Sequence, residues 1–164
     1  MIARYQTLRQ RIQHERAELE RTLSVIQRHW ARAKTASVDQ DAYVNSVALN
    51  LHSFYAGLER IFQLIAIELD GGTLGGETWH SELLQQMALE IPDVRPPVLQ
   101  PETARQLDEY RKFRHLIRNI YATNIDPIRI ERLVAELPDI WADLQRDLEA
   151  FVNFLDTLVR ADEE

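Results

Sequence analysis

The sequence predicts an all-α fold, an antiparallel helical bundle of four to six helices. Apolar residues recur at steps of three and four over long stretches, which is helical spacing. No stretch shows the strict alternation of apolar and polar residues that is typical of a half-buried strand. Helix-breaking residues are concentrated in two short segments, because four of the five glycines lie in residues 71–76 and four of the six prolines lie in residues 92–101. The segments between these breaks are long enough to pack as a bundle.

The first two predicted helices are the longest. The first covers residues 2–33, and the second begins within residues 39–41, where acidic side chains favour the N-terminal turn of a helix. The second helix ends at Asp70, before two glycines. The apolar face of the first helix consists of Ile2, Tyr5, Leu8, Ile12, Leu19, Leu23, Ile26 and Trp30, and that of the second consists of Val47, Leu51, Phe54, Leu58, Ile61, Ile65 and Leu69. We expect the two to pack against each other as antiparallel neighbours.

Further helices are predicted over residues 78–90, 101–122 and 127–161. Thr78 is a candidate N-cap. The proline-rich segment between the third and fourth helices cannot be regular helix, because proline lacks an N–H group and restricts the residue before it. Asp126 and Pro127 have the pattern of an N-cap followed by proline at the first helical position. Pro138 should either start a new helix or kink the last one.

Composition narrows the possible classes of protein. The length of 164 residues suits a single domain over residues 1–164. The absence of cysteine excludes disulfides, thiolate catalysis and cysteine-based zinc sites. No apolar run is long enough to span a bilayer, and the first residues lack the apolar core of a signal peptide, so a cytoplasmic location without membrane contact is expected. The net charge of −7 argues against a protein that coats nucleic acid.

The densest group of polar residues lies on the fourth predicted helix. Five basic side chains and two acidic ones fall within residues 105–121, a local charge of about +3 in an acidic chain. On a helical wheel Arg111, Arg114 and Arg118 form a stripe beside the buried face, while His115 and Asn119 lie one turn apart. One interpretation is a solvated face that forms ion pairs with the acidic last helix. The other is a site for a phosphate or another anion, because arginine offers a planar fork to oxygens and histidine transfers protons near neutral pH.

Residues 113–121, with the sequence Phe-Arg-His-Leu-Ile-Arg-Asn-Ile-Tyr, resemble a motif of the HEPN superfamily, in particular of its HepT-like branch of toxin–antitoxin ribonucleases. That motif consists of arginine, a polar residue, three further residues, histidine, one further residue and tyrosine. Arg114 takes the arginine position and Tyr121 the tyrosine position. His115 and Asn119 are exchanged, so histidine stands in the polar position and asparagine in the histidine position.

The resemblance extends around the motif. The family motif is usually preceded by an aromatic residue and followed by a short Ile-Asp segment, and Ile125-Asp126 follows here. The second predicted helix, with Tyr55, Leu58, Glu59 and Ile61, resembles the second long helix of the family. The resemblance therefore implies a HEPN-like helical bundle over most of the chain.

The resemblance implies an enzyme, a metal-independent endoribonuclease that cleaves RNA in the cleft of a homodimer and needs no cofactor. In such enzymes the 2′-hydroxyl of RNA attacks the adjacent phosphate. Carried over to this chain, Arg114 would bind the scissile phosphate, with Arg111 and Arg118 as further phosphate contacts. His115 would be the general acid or base, and Asn119 would contribute hydrogen bonds only, since an amide does not titrate.

The resemblance also implies a protein partner. HepT-like proteins are commonly paired with a minimal nucleotidyltransferase antitoxin, which in studied members adds AMP to the motif tyrosine, and Tyr121 is the matching AMPylation site here. Two other interpretations stay open. The first is a non-catalytic HEPN module that binds the nucleotidyltransferase or a nucleotide. The second is a scaffold dimer without a nucleotide ligand.

Two residues outside the motif are further candidates. Glu59 lies in an apolar stretch of the second helix and is predicted to pair with Arg114 or Arg118, which would orient that arginine. His80 follows Trp79 at the start of the third helix, where a surface or packing role is favoured over contact with a ligand. The spacing of the five histidines predicts no metal site. Residues 71–76 lack the Gly-Lys-Ser/Thr end of a phosphate loop and are predicted to form a turn.

Overall fold

A computed structural model describes residues 1–72, 75–118 and 125–163 of the chain. Over these ranges the chain forms five helices, namely α1 (Ile2–Thr35), α2 (Gln40–Leu69), α3 (Trp79–Met87), α4 (Pro101–Arg118) and α5 (Pro127–Ala161). The prediction of an all-α helical bundle is therefore confirmed. The last predicted turn of the fourth helix, residues 119–122, lies outside the described residues.

The two longest helices, α1 and α2, form an antiparallel hairpin. Arg4 Nε at the start of α1 lies 2.7 Å from Glu68 Oε2 at the end of α2. At the opposite end of the pair, His29 Nδ1 lies 2.6 Å from Ser46 Oγ. Gly57 lies where the helices approach closely, because a Cβ atom at this position would stand 2.7 Å from Leu19 Cδ2.

The predicted apolar faces of α1 and α2 are buried together and extend into a core shared with the other helices. Phe54 of α2 makes edge-to-face contacts with Tyr110 of α4 and Trp141 of α5, at ring-centroid distances of 6.1 and 6.0 Å. Burying these faces supplies the main drive for folding. Within the described ranges of the chain, no helix is sufficiently long and apolar to cross a membrane.

Helix α5 runs antiparallel to both α1 and α4. Arg16 of α1 pairs with Glu149 of α5 at 2.7 Å, and the Tyr110 hydroxyl donates to the Leu133 carbonyl at 2.7 Å. Helix α5 continues through Pro138 as one helix, so the alternative that a separate helix starts there is wrong. The helix tolerates this proline because its extensive buried face holds it against the neighbouring helices.

Of the two predicted N-cap residues, Asp126 caps its helix through its side chain and Thr78 does not. The Asp126 side chain accepts a hydrogen bond from the Ile128 N–H at 3.0 Å, with Pro127 at the first helical position, as predicted. Thr78 precedes α3 as predicted, but its hydroxyl donates to Glu82 Oε1 at 2.9 Å and caps no backbone N–H group. Helix α3 is also shorter than predicted at both ends.

A buried ion pair holds the proline-rich connection between α3 and α4. The Arg95 guanidinium donates to both carboxylate oxygens of Asp70, each at 2.7 Å, and both side chains are at most 1% exposed. Arg95 also donates to the carbonyl groups of Gln86, Leu89 and Pro96 at 3.0–3.3 Å. One arginine therefore ties this connection to the ends of α2 and α3.

Backbone hydrogen bonds fix the same connection at two further points. The N–H groups of Val98 and Leu99 donate to the Met87 carbonyl at the end of α3, at 2.8 and 3.0 Å. The Gln100 N–H donates to the buried Asp147 carboxylate of α5 at 3.0 Å. The segment is non-helical, as predicted, and its contacts determine where α3 lies relative to α2 and α4.

Candidate functional site

Glu59 is a buried carboxylate on α2 that contacts two other helices. Its Oε1 atom lies 3.2 Å from Arg114 Nη1 on α4, and its Oε2 atom lies 2.5 Å from His80 Nδ1 on α3. The Glu59 side chain is only 5% exposed, so its charge is compensated mainly by these two partners. The predicted ion pair between Glu59 and an arginine of the fourth helix is present, and Arg114 is the partner.

Arg114 keeps hydrogen-bonding capacity beyond this ion pair. Its side chain is 17% exposed, and its buried Nε has no hydrogen-bond partner among the described residues. A guanidinium carries five N–H donors in a planar fork. Arg114 is therefore anchored by Glu59, and its partly exposed guanidinium has further donors on the side that lines the cleft.

A cleft of about 160 Å³ lies between α3 and α4, next to Arg114. One wall consists of Glu77, Thr78, His80 and Ser81, and the other of Arg111, Arg114, His115 and Arg118. The lining contains three arginines and two histidines but one acidic residue, Glu77, so the cleft favours an anion. Its volume suits a phosphate group with part of an attached sugar rather than a large ligand.

Arg111 at the edge of the cleft is partly neutralised within α4. Its Nε donates to Asp108 Oδ1 at 2.6 Å, while Lys112 lies 3.3 Å from the other carboxylate oxygen. Burial raises the pKa of Asp108, but the hydrogen bonds and charges of Arg111 and Lys112 outweigh it, and the pKa lies below its ordinary value. Asp108 thus stays ionised and orients Arg111 along the helix.

Two side chains of α2 set the electrostatic environment behind Arg114. Burial lowers the pKa of His52, and the charges of Arg114 and Arg118 lower it further against the opposing effect of Glu59. His52 is therefore neutral at pH 7. Burial raises the pKa of the Tyr55 phenol, which stays protonated, and its buried hydroxyl has no hydrogen-bond partner in residues 1–72, 75–118 and 125–163.

His80 is a residue for which the sequence favoured a surface or packing role over contact with a ligand. Its ring stacks on Trp79 with 3.6 Å between ring centroids, and its Nδ1 contacts Glu59. The side chain is 23% exposed and lines the cleft. The favoured packing contact is present, since His80 stacks on Trp79, and the ring also borders the cleft; contact with a ligand stays a prediction. The only sequence signal was its place next to Trp79 at a helix start.

The structure brings most of the predicted site residues to one place. Arg111, Arg114, His115 and Arg118 line the cleft, and Glu59 lies directly behind Arg114. Asn119 and Tyr121 lie outside the described residues. Within residues 1–72, 75–118 and 125–163, no group of three or more His, Asp or Glu is arranged to hold a metal ion. The described arrangement can bind an anion and place titratable groups beside it.

Comparison with models of protein families gives one relationship. Residues 46–155 match the family described as HepT-like protein, a range that begins in α2, ends in α5 and contains Glu59, His80 and the arginine stripe of α4. No curated protein and no solved structure matches the chain. Since the matched range covers about two-thirds of the sequence, the chain belongs to the HepT-like protein family.

Proposed function

We propose that this HepT-like protein is a toxin-type endoribonuclease that cleaves RNA without a metal at the cleft between α3 and α4. One observation carries the proposal: Arg114, anchored by the buried Glu59, lines the same cleft as His115. An arginine with an unused donor beside a histidine is suited to a reaction at a phosphodiester. RNA lies in the cytoplasm, where we place the protein.

In the proposed reaction the 2′-hydroxyl of RNA attacks the neighbouring phosphorus and displaces the 5′-oxygen of the next nucleotide. Arg114 binds the scissile phosphate and stabilises the charge that develops on its oxygens. His115 transfers a proton during the reaction, while Arg111 and Arg118 hold flanking phosphates. Asn119 contributes hydrogen bonds, and Glu59 keeps the Arg114 guanidinium in position.

Cleavage of a fluorescently labelled RNA in the presence of EDTA tests the proposal. The wild-type protein should cut the RNA, and Arg114→Ala or His115→Ala should each lower the rate by about 100-fold or more. Arg21→Ala is the matched control, because Arg21 is exposed on α1 and pairs only locally with Glu18. The control should retain the wild-type rate.

The folding of each variant is checked by its urea unfolding curve, because Arg114→Ala leaves Glu59 with one partner fewer. Arg114→Lys keeps the charge and removes the planar fork, so we expect it to fold and to cut slowly. Folded Arg114 and His115 variants that cut as fast as the wild type would show that the assigned site is wrong.

The proposal includes a homodimer that brings two clefts onto one RNA. Two large exposed apolar side chains support an interface: Leu116 on α4, the helix that forms one wall of the cleft, is 36% exposed, and Ile128 at the start of α5 is 76% exposed. The double variant Leu116→Asp, Ile128→Asp should shift the protein toward monomer in light scattering and lower the cleavage rate. Val38→Asp, at an equally exposed position after α1, should do neither.

We further propose that a minimal nucleotidyltransferase is the antitoxin and that it AMPylates Tyr121. Arg118 and Arg114, which precede Tyr121 in the same motif, would then hold the added phosphate, because arginine binds phosphate through paired hydrogen bonds. Incubation with the nucleotidyltransferase and ATP should raise the mass of the protein by one AMP unit, and Tyr121→Phe should prevent this. If the protein neither gains mass nor forms a stable complex, the proposed partner is wrong.

A second candidate is a non-catalytic module that binds the nucleotidyltransferase or a nucleotide. The reversed order of His115 and Asn119 favours it, because asparagine cannot replace a histidine in proton transfer. It predicts a stable complex with the nucleotidyltransferase and no RNA cleavage by the wild-type protein. Measurable cleavage that depends on Arg114 would exclude it.

A further inference from the structure

We infer that His80 is a second catalytic histidine, which accepts the proton of the attacking 2′-hydroxyl while His115 protonates the leaving oxygen. The inference rests on the proposed ribonuclease function and concerns the same cleft. His80 lies on α3, outside the motif that identified Arg114 and His115. We assign this role to His80 from its position in the cleft and not from a sequence motif.

The contact with Glu59 gives His80 the geometry of a general base. Glu59 Oε2 lies 2.5 Å from Nδ1, which places the proton of the neutral ring on Nδ1 and leaves Nε2 with its lone pair. A buried carboxylate also stabilises the imidazolium that forms when the ring accepts a proton. Stacking on Trp79 limits the rotation of the ring, so Nε2 has a restricted direction.

The two histidines border the cleft from opposite walls. His80 belongs to α3 and His115 to α4, and Arg114 stands on the same wall as His115. A phosphate bound by Arg114 in this space lies between the two rings. An in-line displacement needs the attacking and the leaving oxygen on opposite sides of phosphorus, so two proton-transfer groups on opposite walls suit it.

The proposed step is balanced in atoms and charge. The bond from the 2′-oxygen to phosphorus forms as the bond from phosphorus to the 5′-oxygen breaks. The proton of the 2′-hydroxyl passes to His80 Nε2, and a proton from His115 passes to the 5′-oxygen. The products are a 2′,3′-cyclic phosphate and a 5′-hydroxyl, and exchange of one proton with water restores both rings.

The pH dependence of the reaction reflects every charged group around His80. Glu59 faces it from α2, Glu77 precedes it in the connection to α3, and α4 contributes Arg111, Arg114, His115 and Arg118. Histidine is the residue type whose change of charge most often serves proton transfer near neutral pH. We expect a bell-shaped profile for the wild type, because the reaction needs one deprotonated and one protonated group.

The test compares the cleavage rates of His80→Gln, His115→Ala and the wild type on two substrates. One is ordinary RNA, and the other carries a sulfur in place of the 5′-oxygen at the cleavage site, a leaving group that needs no proton. On RNA both variants should be slower by about 100-fold to 10,000-fold. On the sulfur substrate His115→Ala should recover most of its rate, and His80→Gln should stay slow.

Two controls separate a catalytic role from a structural one. His14→Gln replaces an exposed histidine of α1 and should cut at the wild-type rate. Binding of an RNA whose attacking 2′-hydroxyl is replaced by hydrogen should be nearly unchanged in His80→Gln and weakened in Arg114→Ala. The limb of the pH profile on the acid side should disappear in His80→Gln.

Each outcome decides a separate point. A wild-type protein that cuts neither substrate overturns the proposed function, and with it this role of His80. If the wild type cuts RNA and His80→Gln keeps both its rate and its bell-shaped profile, the ribonuclease proposal stands and the role of His80 is wrong. Equal losses of rate and binding in His80→Gln, with an unchanged profile, would likewise assign His80 to structure alone.

Discussion

Among the described residues, two buried ion pairs between arginine and a carboxylate link α2 to other parts of the chain, and they differ in how completely they are buried and hydrogen-bonded. We call Asp70–Arg95 the closed pair and Glu59–Arg114 the open pair. In the first pair, Arg95 grips both oxygens of Asp70 and adds hydrogen bonds to backbone carbonyl groups, with neither side chain more than 1% exposed. In the second, Glu59 makes one contact of 3.2 Å with Arg114, which is 17% exposed and whose Nε is unpaired within the part of the chain that the structure describes. One arginine–carboxylate pair is therefore fully buried and extensively hydrogen-bonded, and the other is partly exposed and makes a single contact.

The difference shows what each pair contributes. Removing charges from water is costly, and a buried pair offsets that cost only when its geometry is good and its remaining donors are satisfied. The Asp70–Arg95 pair meets this condition and holds the chain together. The Glu59–Arg114 pair leaves the buried Nε unsatisfied, which lowers its value for stability, and the exposed part of Arg114 lines the cleft, where an anion could bind.

Breaking the closed pair should have the largest effect on stability. Arg95→Met leaves Asp70 buried without its countercharge, and three backbone carbonyl groups lose a donor. We expect the free energy of unfolding to fall by about 3–5 kcal/mol. Urea unfolding followed by circular dichroism measures it.

The matched control for Arg95→Met adds a second change, Asp70→Asn, which removes the stranded charge. The double variant should recover part of the lost stability, because the buried carboxylate no longer lacks a partner. A loss below about 1 kcal/mol in the single variant would mean that the closed pair does not hold the connection, in conflict with the value expected for a buried pair.

Weakening the open pair should cost less. Glu59→Gln keeps the shape of the side chain and removes its charge, so Arg114 and His80 lose an ionic partner but can turn toward water in the cleft. The free energy of unfolding should fall by about 1.5–3 kcal/mol, the range for hydrogen bonds to charged groups. A loss equal to that of Arg95→Met would show that the two pairs do not differ.

Because His52 is neutral in the folded protein, the stability of the region around the open pair should depend on pH, unlike that of the closed pair. Its pKa is lowered in the folded protein by burial and by Arg114 and Arg118. The unfolded chain therefore takes up a proton first, and stability should fall as the pH drops below about 6.5, the ordinary pKa of histidine. Urea unfolding of the wild type and His52→Gln on either side of this pH measures the difference.

His52→Gln should show a weaker loss of stability on acidification than the wild type. Arg114→Met should also reduce the loss, since one of the charges that lowers the pKa of His52 is removed. Equal losses in the wild type and His52→Gln would assign the acid sensitivity to other groups.

An exposed ion pair should have the smallest effect. Arg4 and Glu68 lie 2.7 Å apart, but their side chains are 52% and 27% exposed, so water screens their attraction. Arg4→Ala should lower the free energy of unfolding by about 0.2–1 kcal/mol, and the effect should shrink at high salt. A larger or salt-independent loss would mean that burial is not what separates these pairs.

The sequence predicted the fold well because helices with apolar stripes are encoded locally. The spacing of apolar residues and the positions of glycine and proline determined the five helices to within a few residues over most of the chain. Pairing between Glu59 and Arg114 was also predictable, because a carboxylate in an apolar stretch needs a partner. The functional roles of the site residues remain predictions.

Two features could not be predicted from the sequence, for the same physical reason. One is the contact of His80 with Glu59, and the other is the contact of Arg95 with Asp70. Each contact depends on how α3 and the proline-rich connection pack, which no local pattern encodes. The sequence therefore favoured a surface or packing role for His80 and described the region of Arg95 only as non-helical.

The backbone hydrogen bonds at the end of α3 have a consequence for evolution and engineering. Because Met87 receives the N–H groups of Val98 and Leu99, the connection that follows α3 holds the carboxyl end of this helix. Insertions and deletions in this glycine-rich stretch should therefore be tolerated, while changes of length in residues 92–100 should displace α3. A tag or a fused domain belongs in the first of these connections.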